Sequence, residues 1–152
     1  MSYYWMEEDQ YQVHGPPDNI KLGQLKSLLY DSLINTQHVH SCAFINKKDL
    51  HVEAHSNNFN LTKADASALN DLFKNFITAR KDGFLFNNIS YDCVRADKHS
   101  IYARGLTSNE QGLILVRTNN YILLSTYTKD MYPAVCIEAT EKLSEYLKEK
   151  GR

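Results

Sequence analysis

The chain has 152 residues, of which 43% are hydrophobic and 23% charged, a composition typical of a globular domain with a single core. Its formal net charge of −1 does not favour a nucleic-acid partner, and no apolar run approaches the roughly 18 residues that span a bilayer. Three widely spaced cysteines, Cys42, Cys93 and Cys136, predict reduced thiols in the core of a cytoplasmic protein.

Residues 1–20 differ in composition from the rest of the chain. They hold four acidic residues, no lysine or arginine, and a closing Gly-Pro-Pro. Because the segment also lacks hydrophobic periodicity, we predict a disordered acidic and aromatic extension, serving either as a simple tail or as a docking peptide. Residues 21–152 are predicted to form one mildly basic domain, whose charge favours an anionic membrane surface or an acidic protein as partner.

The first elements of the domain are a helix and two strands. Leucines at helical spacing predict an amphipathic helix over residues 21–34. The segments "VHSCAFIN" and "DLHVEAHS" predict two strands joined by a polar turn, Asn46-Lys47-Lys48. Strict alternation in the second strand would place Leu50, Val52 and Ala54 on one face.

A second helix and five more strands follow. Thr62 and Asp65 predict a capping box, and the helix after it would bury Leu69, Leu72, Phe73, Phe76 and Ile77. The segments "FLF", "ISYDCVRA", "SIYAR", "LILVRT" and "YILLSTYT" are short, alternating and bounded by polar turns, which predicts an antiparallel meander.

The chain ends in a helix that Pro133 can begin, since proline lacks only an amide that a helix start leaves free. Its apolar stripe, like that of the first helix, has no other partner than the sheet. We therefore predict an α+β domain, an antiparallel β-meander with the N- and C-terminal helices side by side on one face and the smaller middle helix on the other.

The last third of the sequence resembles the profilin family. The stretch "NNYILLSTYTKDMYPAVCIEATEKLSEYLKEKGR" matches that family's late strand, Met-x-Pro turn and closing helix, and "YDCVRAD" and "SIYAR" are similar to its divergent testis-type isoform. The likeness extends over residues 22–152. It implies a cytoskeletal binding protein without cofactor, metal or catalysis, with surfaces for monomeric actin, for proline-rich peptides and for phosphoinositides.

The resemblance implies an eroded groove for proline-rich peptides. Polyproline helices dock on rigid aromatic side chains, which in the family come from the two terminal helices. Here Gln24 and Ser27 occupy two of those aromatic positions, and Tyr146 matches a third. Tyr30 is a candidate substitute. We expect proline-rich proteins to bind weakly or not at all.

The family's actin-binding face is also altered. Arg95 and Arg104 match basic positions that contact actin, and Arg117 lies on a neighbouring strand. At the start of the last helix a family Asn aligns with Ile137, a Lys with Glu138 and an acidic residue with Lys142. Reversed charges across an interface can cost several kcal/mol, so we expect actin to bind weakly or not at all.

The resemblance to the testis-type isoform implies anionic phospholipids as ligands, namely phosphoinositides and phosphatidic acid, and a role in shaping sperm cells. The lipid-binding candidates are Arg95, Arg104, Lys148, Lys150 and Arg152, since basic side chains near an anionic leaflet are attracted to it. We expect a monomer associated with the cytoskeleton and without a nucleic-acid partner.

Three alternatives remain open at this level. The first is a conventional actin-monomer-binding profilin, and the second is an unrelated interaction scaffold with the same order of elements. The third is a zinc enzyme, suggested by "HVEAH". It is disfavoured because His51 and Glu53 alternate on a predicted strand and only one cysteine, Cys136, follows Pro133.

Overall fold

The computed structural model describes residues 22–106 and 111–152, so the predicted extension over residues 1–20 lies outside the described part of the chain. The described residues form four helices, one short 3-10 helix and seven strands. The helices are α1 (Leu22–Ser32), α2 (Lys63–Lys74), α3 (Phe76–Asp82) and α4 (Pro133–Glu149), and the 3-10 turn is Ile34–Thr36. The strands are β1 (Ser41–Asn46), β2 (Val52–His55), β3 (Phe84–Phe86), β4 (Ile89–Ala96), β5 (Ser100–Gly105), β6 (Gly112–Arg117) and β7 (Tyr121–Tyr127).

All seven strands form one antiparallel sheet in the order β2-β1-β7-β6-β5-β4-β3. Strands β3 to β7 are a simple meander, as their short connections predict. The first hairpin joins the far side of this meander through β1, which pairs with β7 from Ser41↔Thr126 to Asn46↔Tyr121.

The sheet separates two hydrophobic clusters, one on each face. On one face, α1, the residue that follows it and α4 contribute Leu25, Leu28, Leu29, Leu33, Cys136, Leu143, Tyr146 and Leu147. On the other face, α2 contributes Ala66, Leu69 and Phe73. The predicted α+β architecture, with both terminal helices on one face and the middle helical region on the other, is confirmed.

Several local signals in the sequence also form as expected. Thr62 and Asp65 make a reciprocal capping box, with Asp65 N–H donating to Thr62 Oγ1 at 3.1 Å. Pro133 is in the first turn of α4. The two central residues of the β3–β4 turn, Asn87 and Asn88, both have positive φ, which asparagine tolerates better than most residues.

The face assignment predicted for β2 is wrong. Ala54 pairs with Phe44 on the α1/α4 side, whereas Val52 pairs with Ile45 on the α2 side. The reason is a bulge at Glu53, which adds one residue to β2 and reverses the alternation of faces before it.

The single middle helix that was predicted is two helices. Asn75 (φ −117°, ψ 39°) leaves the helical region between α2 and α3, and its side-chain amide donates to the Asp71 carbonyl at 3.1 Å. The break rotates α3 relative to the apolar stripe. Phe76 still packs on the core, but Ile77, which was predicted to be buried, is 66% exposed.

Candidate functional site

The helices α1 and α4 cover only part of their face of the sheet. α1 contacts β1 and β2, and α4 contacts β6 and β7. Among the described residues, the cluster under these helices contains none from β3 or β4 and only Tyr102 from β5. The outer strands β3, β4 and β5 therefore present a bare surface beside α4, which we call the strand surface.

A bulge aims Arg95 at the strand surface. Cys93 pairs with Ala103 and Arg95 pairs with Tyr102, so Val94 is the extra residue of β4. Cys93 packs against the α2 side, and without the bulge Arg95, two residues later, would point the same way. Instead the Arg95 guanidinium lies 5.3 Å from the centroid of the Tyr102 ring, on the α4 side.

The strand surface is joined to α4 by one carboxylate. Glu141 Oε2 accepts hydrogen bonds from the Ser100 hydroxyl, at 2.9 Å, and from the Tyr102 hydroxyl. Burial raises the pKa of Tyr102 to about 12, and the hydrogen bond to Glu141 and its charge act in the same direction. Glu141 is therefore a structural acceptor that also brings negative charge close to Arg95.

Arg95 has its own acidic partner. Its Nε lies 3.0 Å from Asp97 Oδ2, and this hydrogen bond raises the pKa of Arg95. Burial favours the neutral form of Asp97, but hydrogen bonds from the Ser100 and His99 amides and from Arg95 outweigh it and lower the pKa of Asp97. The positive charge of Arg95 is thus largely compensated within the fold.

Arg104 and the start of α4 border the same surface. Arg104 is exposed and stands opposite Asp92 on β4. Ile137 and Glu138 lie one turn before Glu141, so they are on the side of α4 that faces β5. Ile137 is half-buried, whereas Glu138 and Lys142 are exposed. The structure therefore brings Arg95, Arg104, Ile137 and Glu138 together, with acidic side chains interspersed.

Arg117 is not part of this group. On β6, Ile114 and Val116 face the α1/α4 side, so Arg117 faces the α2 side, where its guanidinium lies 5.3 Å from the centroid of the Phe73 ring. Its prediction as an actin-face residue beside Arg95 and Arg104 is corrected by this placement on the opposite face of the sheet.

The predicted groove for proline-rich peptides lies between α1 and α4. Ser27 is exposed and Gln24 is half-buried, so two small or polar side chains stand where the resemblance implies rings. Tyr146 is only 9% exposed and packs in the core. The Tyr30 hydroxyl accepts from the Asn57 amide at 2.8 Å, after β2 and away from α4, so Tyr30 is not a substitute ring for the groove.

The basic residues at the end of α4 differ in exposure. Lys148 is exposed, and Lys150 is half-buried with Nζ 5.6 Å from the centroid of the Tyr146 ring. Arg152 is 1% exposed, which corrects its prediction as a lipid-binding residue. It is buried because Gly151 (φ 78°) turns the chain back, and Arg152 N–H then donates to the Leu147 carbonyl at 2.8 Å in a Schellman motif.

Sequence reasoning missed one contact at the start of α4. The Tyr132 amide donates to His38 Nδ1 at 2.9 Å, and the two rings stack with centroids 5.0 Å apart. The Tyr132 side chain is 67% exposed beside the first turn of the helix. His38 precedes β1 and lies 94 positions from Tyr132 in the sequence. The only sign of this contact in the sequence was a histidine beside a predicted strand.

The thiols are not arranged for chemistry. Burial raises the pKa of Cys42 and of Cys136 to about 12, and burial raises the pKa of Cys93 to about 11. Thiols with such values carry little thiolate at neutral pH, which is the reactive form. Among the described residues no three His, Cys, Asp or Glu side chains are grouped to hold a metal ion, and no helix there is long and apolar enough to cross a bilayer.

Several solved profilins share this architecture. Profilin IA of Acanthamoeba castellanii superposes with a TM-score of 0.73 at 29% identity, and the alignment covers 84% of this chain and 98% of that one. A profilin of Schizosaccharomyces pombe superposes with a TM-score of 0.74 at 27% identity, with the same shares covered.

The sequence comparisons agree with the fold. The chain is 41% identical to profilin-4 of Mus musculus and 40% identical to profilin-4 of Bos taurus, in each case over 131 residues that cover 86% of this chain and 99% of the relative. The resemblance to this isoform, inferred above from the motifs, is thereby confirmed. The family model described as Profilin matches residues 23–152, and the chain belongs to the profilin family of cytoskeleton regulators.

Proposed function

We propose that this protein is a lipid-binding profilin, with phosphoinositides and phosphatidic acid as ligands and with weak or absent binding of monomeric actin and of proline-rich peptides. By its likeness to profilin-4, we further propose that it acts in sperm-cell morphogenesis, where the acrosome and the manchette are shaped. Its role is binding and not catalysis.

The observation that carries the weak-actin proposal is the charge balance of the strand surface. Arg95 is paired with Asp97 and lies near Glu141, and Glu138 borders the same surface. An actin subdomain that complements a basic profilin surface would meet these acidic groups, and like charges brought together across an interface weaken it. Arg104 is exposed and stands opposite Asp92, so a partner that approaches Arg104 also approaches this carboxylate.

The geometry of the terminal helices supports weak binding of proline-rich peptides. Mouse profilin IIa, which shares this fold with a TM-score of 0.64 at 11% identity, has been solved with a double repeat from the FH1 domain of mDia1. The corresponding side of this chain offers the exposed Ser27 and the half-buried Gln24 instead of rings, and Tyr146 is buried. A peptide would gain little aromatic contact to offset its loss of freedom.

The lipid proposal rests on the exposed basic residues that remain after the corrections above. Lys148 and Arg104 are exposed, and Arg95 retains 53% of its side-chain exposure despite its ion pair. Arg152 is excluded from this set because it is buried. Exposed lysines and arginines within a Debye length of an anionic leaflet are attracted to it.

A side-by-side measurement tests the proposal. We expect the protein to sediment with vesicles of phosphatidylcholine and a phosphoinositide, not to sediment with neutral phosphatidylcholine vesicles, and to leave the assembly of pyrene-labelled actin unchanged. Arg104→Gln should weaken vesicle binding, whereas Lys81→Gln, on the exposed side of α3 at the opposite face, should not.

The rival is a conventional profilin that sequesters actin monomers, and the shared fold with actin-regulating relatives favours it. It predicts that actin assembly slows in proportion to the added protein and that decaproline binds with a micromolar dissociation constant. Either result, with no sedimentation on phosphoinositide vesicles, would replace the present proposal with the conventional function.

A further inference from the structure

Two turns at one end of the sheet enclose a polar cleft that none of the surfaces above includes. It has a volume of about 350 Å³ and lies between the β1–β2 turn and the β6–β7 turn. Its lining consists of Asn46, Lys47, Lys48, Asn119, Asn120 and Tyr121.

The backbone of the cleft is fixed by hydrogen bonds between the two turns. The Lys47 amide donates to the Asn120 carbonyl at 2.9 Å, and Lys47 Nζ donates to the Thr118 carbonyl at 3.1 Å. The Asn120 amide in turn donates to a main-chain carboxylate oxygen of Arg152 at 2.7 Å, so the residues after α4 brace the same turn. Asn46 Oδ1 accepts from the Lys48 amide at 2.8 Å, which orders the chain at Lys48. The cleft is therefore preformed.

Lys47 of the cleft is influenced by the charge of a second cation, Arg117. Burial, and then the positive charge of Arg117, lower the pKa of Lys47. Arg117 Nη1 donates to the Lys98 carbonyl at 3.2 Å, but its Nε is buried and has no acceptor among the described residues. No ion pair in the described part of the chain includes Lys47 or Arg117. Neither cation is paired with a carboxylate side chain in that part of the chain, and the main-chain carboxylate of Arg152 is bound by the Asn120 amide.

The acidic side chains closest in sequence are already engaged. Asp49 Oδ1 accepts from the His51 amide at 2.9 Å, and Glu53 Oε1 lies 3.5 Å from His51 Nδ1 and accepts from the Asn46 side-chain amide at 3.3 Å. This leaves the exposed ammonium of Lys48 and the exposed amides of Asn119 and Asn120 as donors at the mouth of the cleft.

We propose that this cleft binds a phosphate monoester, with Lys47 and Lys48 supplying the charge and Asn119 and Asn120 supplying amide donors. A phosphate monoester fits because its several terminal oxygens can accept from two ammonium groups and two amides at once. The group can come from the headgroup of a phospholipid or from a free phosphate ester. In the first case this inference rests on the proposed lipid function and locates it at the end of the sheet, away from Arg95 and Arg104.

The surroundings of the cleft suit a membrane surface. Lys98 in the β4–β5 turn and Lys148 near the end of α4 are exposed at the same end of the sheet as Lys48. Two turns and a helix end thus present basic side chains in one direction, so that a leaflet could approach while a headgroup phosphate enters the cleft.

Vesicle sedimentation and spectroscopy test the inference on the full chain. Lys48→Gln should weaken binding to phosphatidylcholine vesicles that contain phosphatidic acid by about fivefold, the effect of one basic charge near an anionic leaflet. The matched control is Lys129→Gln, because Lys129 is an exposed lysine in the turn after β7, at the other end of the sheet. A second variant, Asn119→Ala, removes an amide donor without changing the charge. Amide proton–nitrogen spectra recorded with glycerol phosphate should show shifts confined to residues 46–48 and 119–121.

Each outcome either identifies the source of the phosphate group or contradicts one of the two proposals. Binding of both vesicles and glycerol phosphate at the cleft supports the lipid headgroup, and binding of glycerol phosphate alone supports a free ester and contradicts the lipid function. If the wild type binds acidic vesicles but Lys48→Gln and Lys129→Gln bind equally well and glycerol phosphate shifts none of these amides, the cleft is not the site and the lipid function stands. If the wild type binds neither probe, both proposals fail.

Discussion

The strand surface and the turn cleft are both rich in basic residues, but their cations have opposite surroundings. On the strand surface, Arg95 lies 3.0 Å from Asp97, and Glu141 is close by. In the cleft, Lys47 meets the like charge of Arg117, and neither has an acidic partner in the described part of the chain. The difference teaches that the number of basic residues on a surface does not measure its attraction for an anion. What matters is whether the fold has already supplied the counter-charge.

Replacing a buried basic residue should have the largest effect, and on stability alone. Arg152 is among the largest fully buried side chains, so Arg152→Ala should lower the free energy of unfolding by about 3 kcal/mol through lost packing. Urea unfolding measures this. Vesicle binding by the folded variant should match the wild type, whereas a drop in binding without a loss of stability would restore Arg152 as a lipid ligand.

Removing the carboxylate of Glu141 should make the strand surface more like the turn cleft, because it takes away an acidic group near Arg95. Glu141→Leu leaves the hydroxyls of Ser100 and Tyr102 without their acceptor, which should cost about 2 kcal/mol of unfolding free energy. The loss of negative charge should also strengthen the attraction of Arg95 for acidic vesicles. Glu145→Leu, at an exposed position one turn later, is the control. Equal stability of the two variants would contradict the structural role of Glu141.

Asp97→Asn tests the same contrast with less effect on the fold. The ion pair with Arg95 is partly exposed, so its loss should cost no more than about 1 kcal/mol, while acidic vesicles should bind more tightly. Because the pKa of Asp97 is lowered by folding, the unfolded chain takes up this proton at higher pH than the folded protein. The stability that Asp97 contributes is therefore present at neutral pH and lost as the pH falls below the usual aspartate range, near 3.8.

The part of the unfolding free energy that depends on ionised Asp97 should be missing in Asp97→Asn. Unfolding free energies measured across the acidic range would show it as a smaller decrease for the variant than for the wild type. Asp130→Asn, at an exposed turn position, is a suitable control. Parallel pH profiles for wild type and Asp97→Asn would contradict the pairing.

The smallest expected effect is a change in stability at high pH, caused by the titration of Tyr102. Its pKa of about 12 lies above the value of 10.0 for a free tyrosine, so the folded protein keeps a proton that the unfolded chain releases. Stability should consequently fall as the pH rises from 10 towards 12. In Glu141→Gln the amide oxygen still accepts from the hydroxyl but carries no charge, so the pKa of Tyr102 should decrease, as followed by ultraviolet absorbance. An unchanged titration would show that burial alone sets the value.

The architecture could be predicted because it depends on patterns that local sequence carries. The leucines of α1, the Thr62–Asp65 box and the alternation of β5 to β7 each specify an element, and two helices with single apolar stripes must cover a sheet. The paired Asn87-Asn88 specified a tight turn in the same way. None of these signals requires knowledge of distant contacts.

The local errors have a common origin in single residues whose conformation depends on tertiary structure. The bulges at Glu53 and Val94 leave no mark on an alternating pattern, so the faces of β2 and the direction of Arg95 could not be read from it. Asn75 interrupts a stretch whose hydrophobic period continues past it. From the sequence alone Arg152 is expected to be exposed, but the helix cap at Gly151 turns it towards the core.

The candidate surfaces were predicted only in part for the same reason. The resemblance to profilins identified Arg95, Arg104 and Glu138, and these do lie around one surface. It could not assign Arg117 to the opposite face, because that depends on the register of β6. It also did not identify Lys47 and Lys48, which in the sequence are only part of a polar turn. Their role as cleft residues depends on the Asn119-Asn120 turn, which the fold places beside them.

The extra residue in β4 has an evolutionary consequence. Deleting Val94 would restore plain alternation, and Arg95 would then follow Cys93 directly and still stand opposite Tyr102, on the α4 side of the sheet. The bulge thus absorbs one inserted residue, so gain or loss of a single codon here leaves the guanidinium on the same face. Lineages could change the length of this strand without losing the cation from the surface.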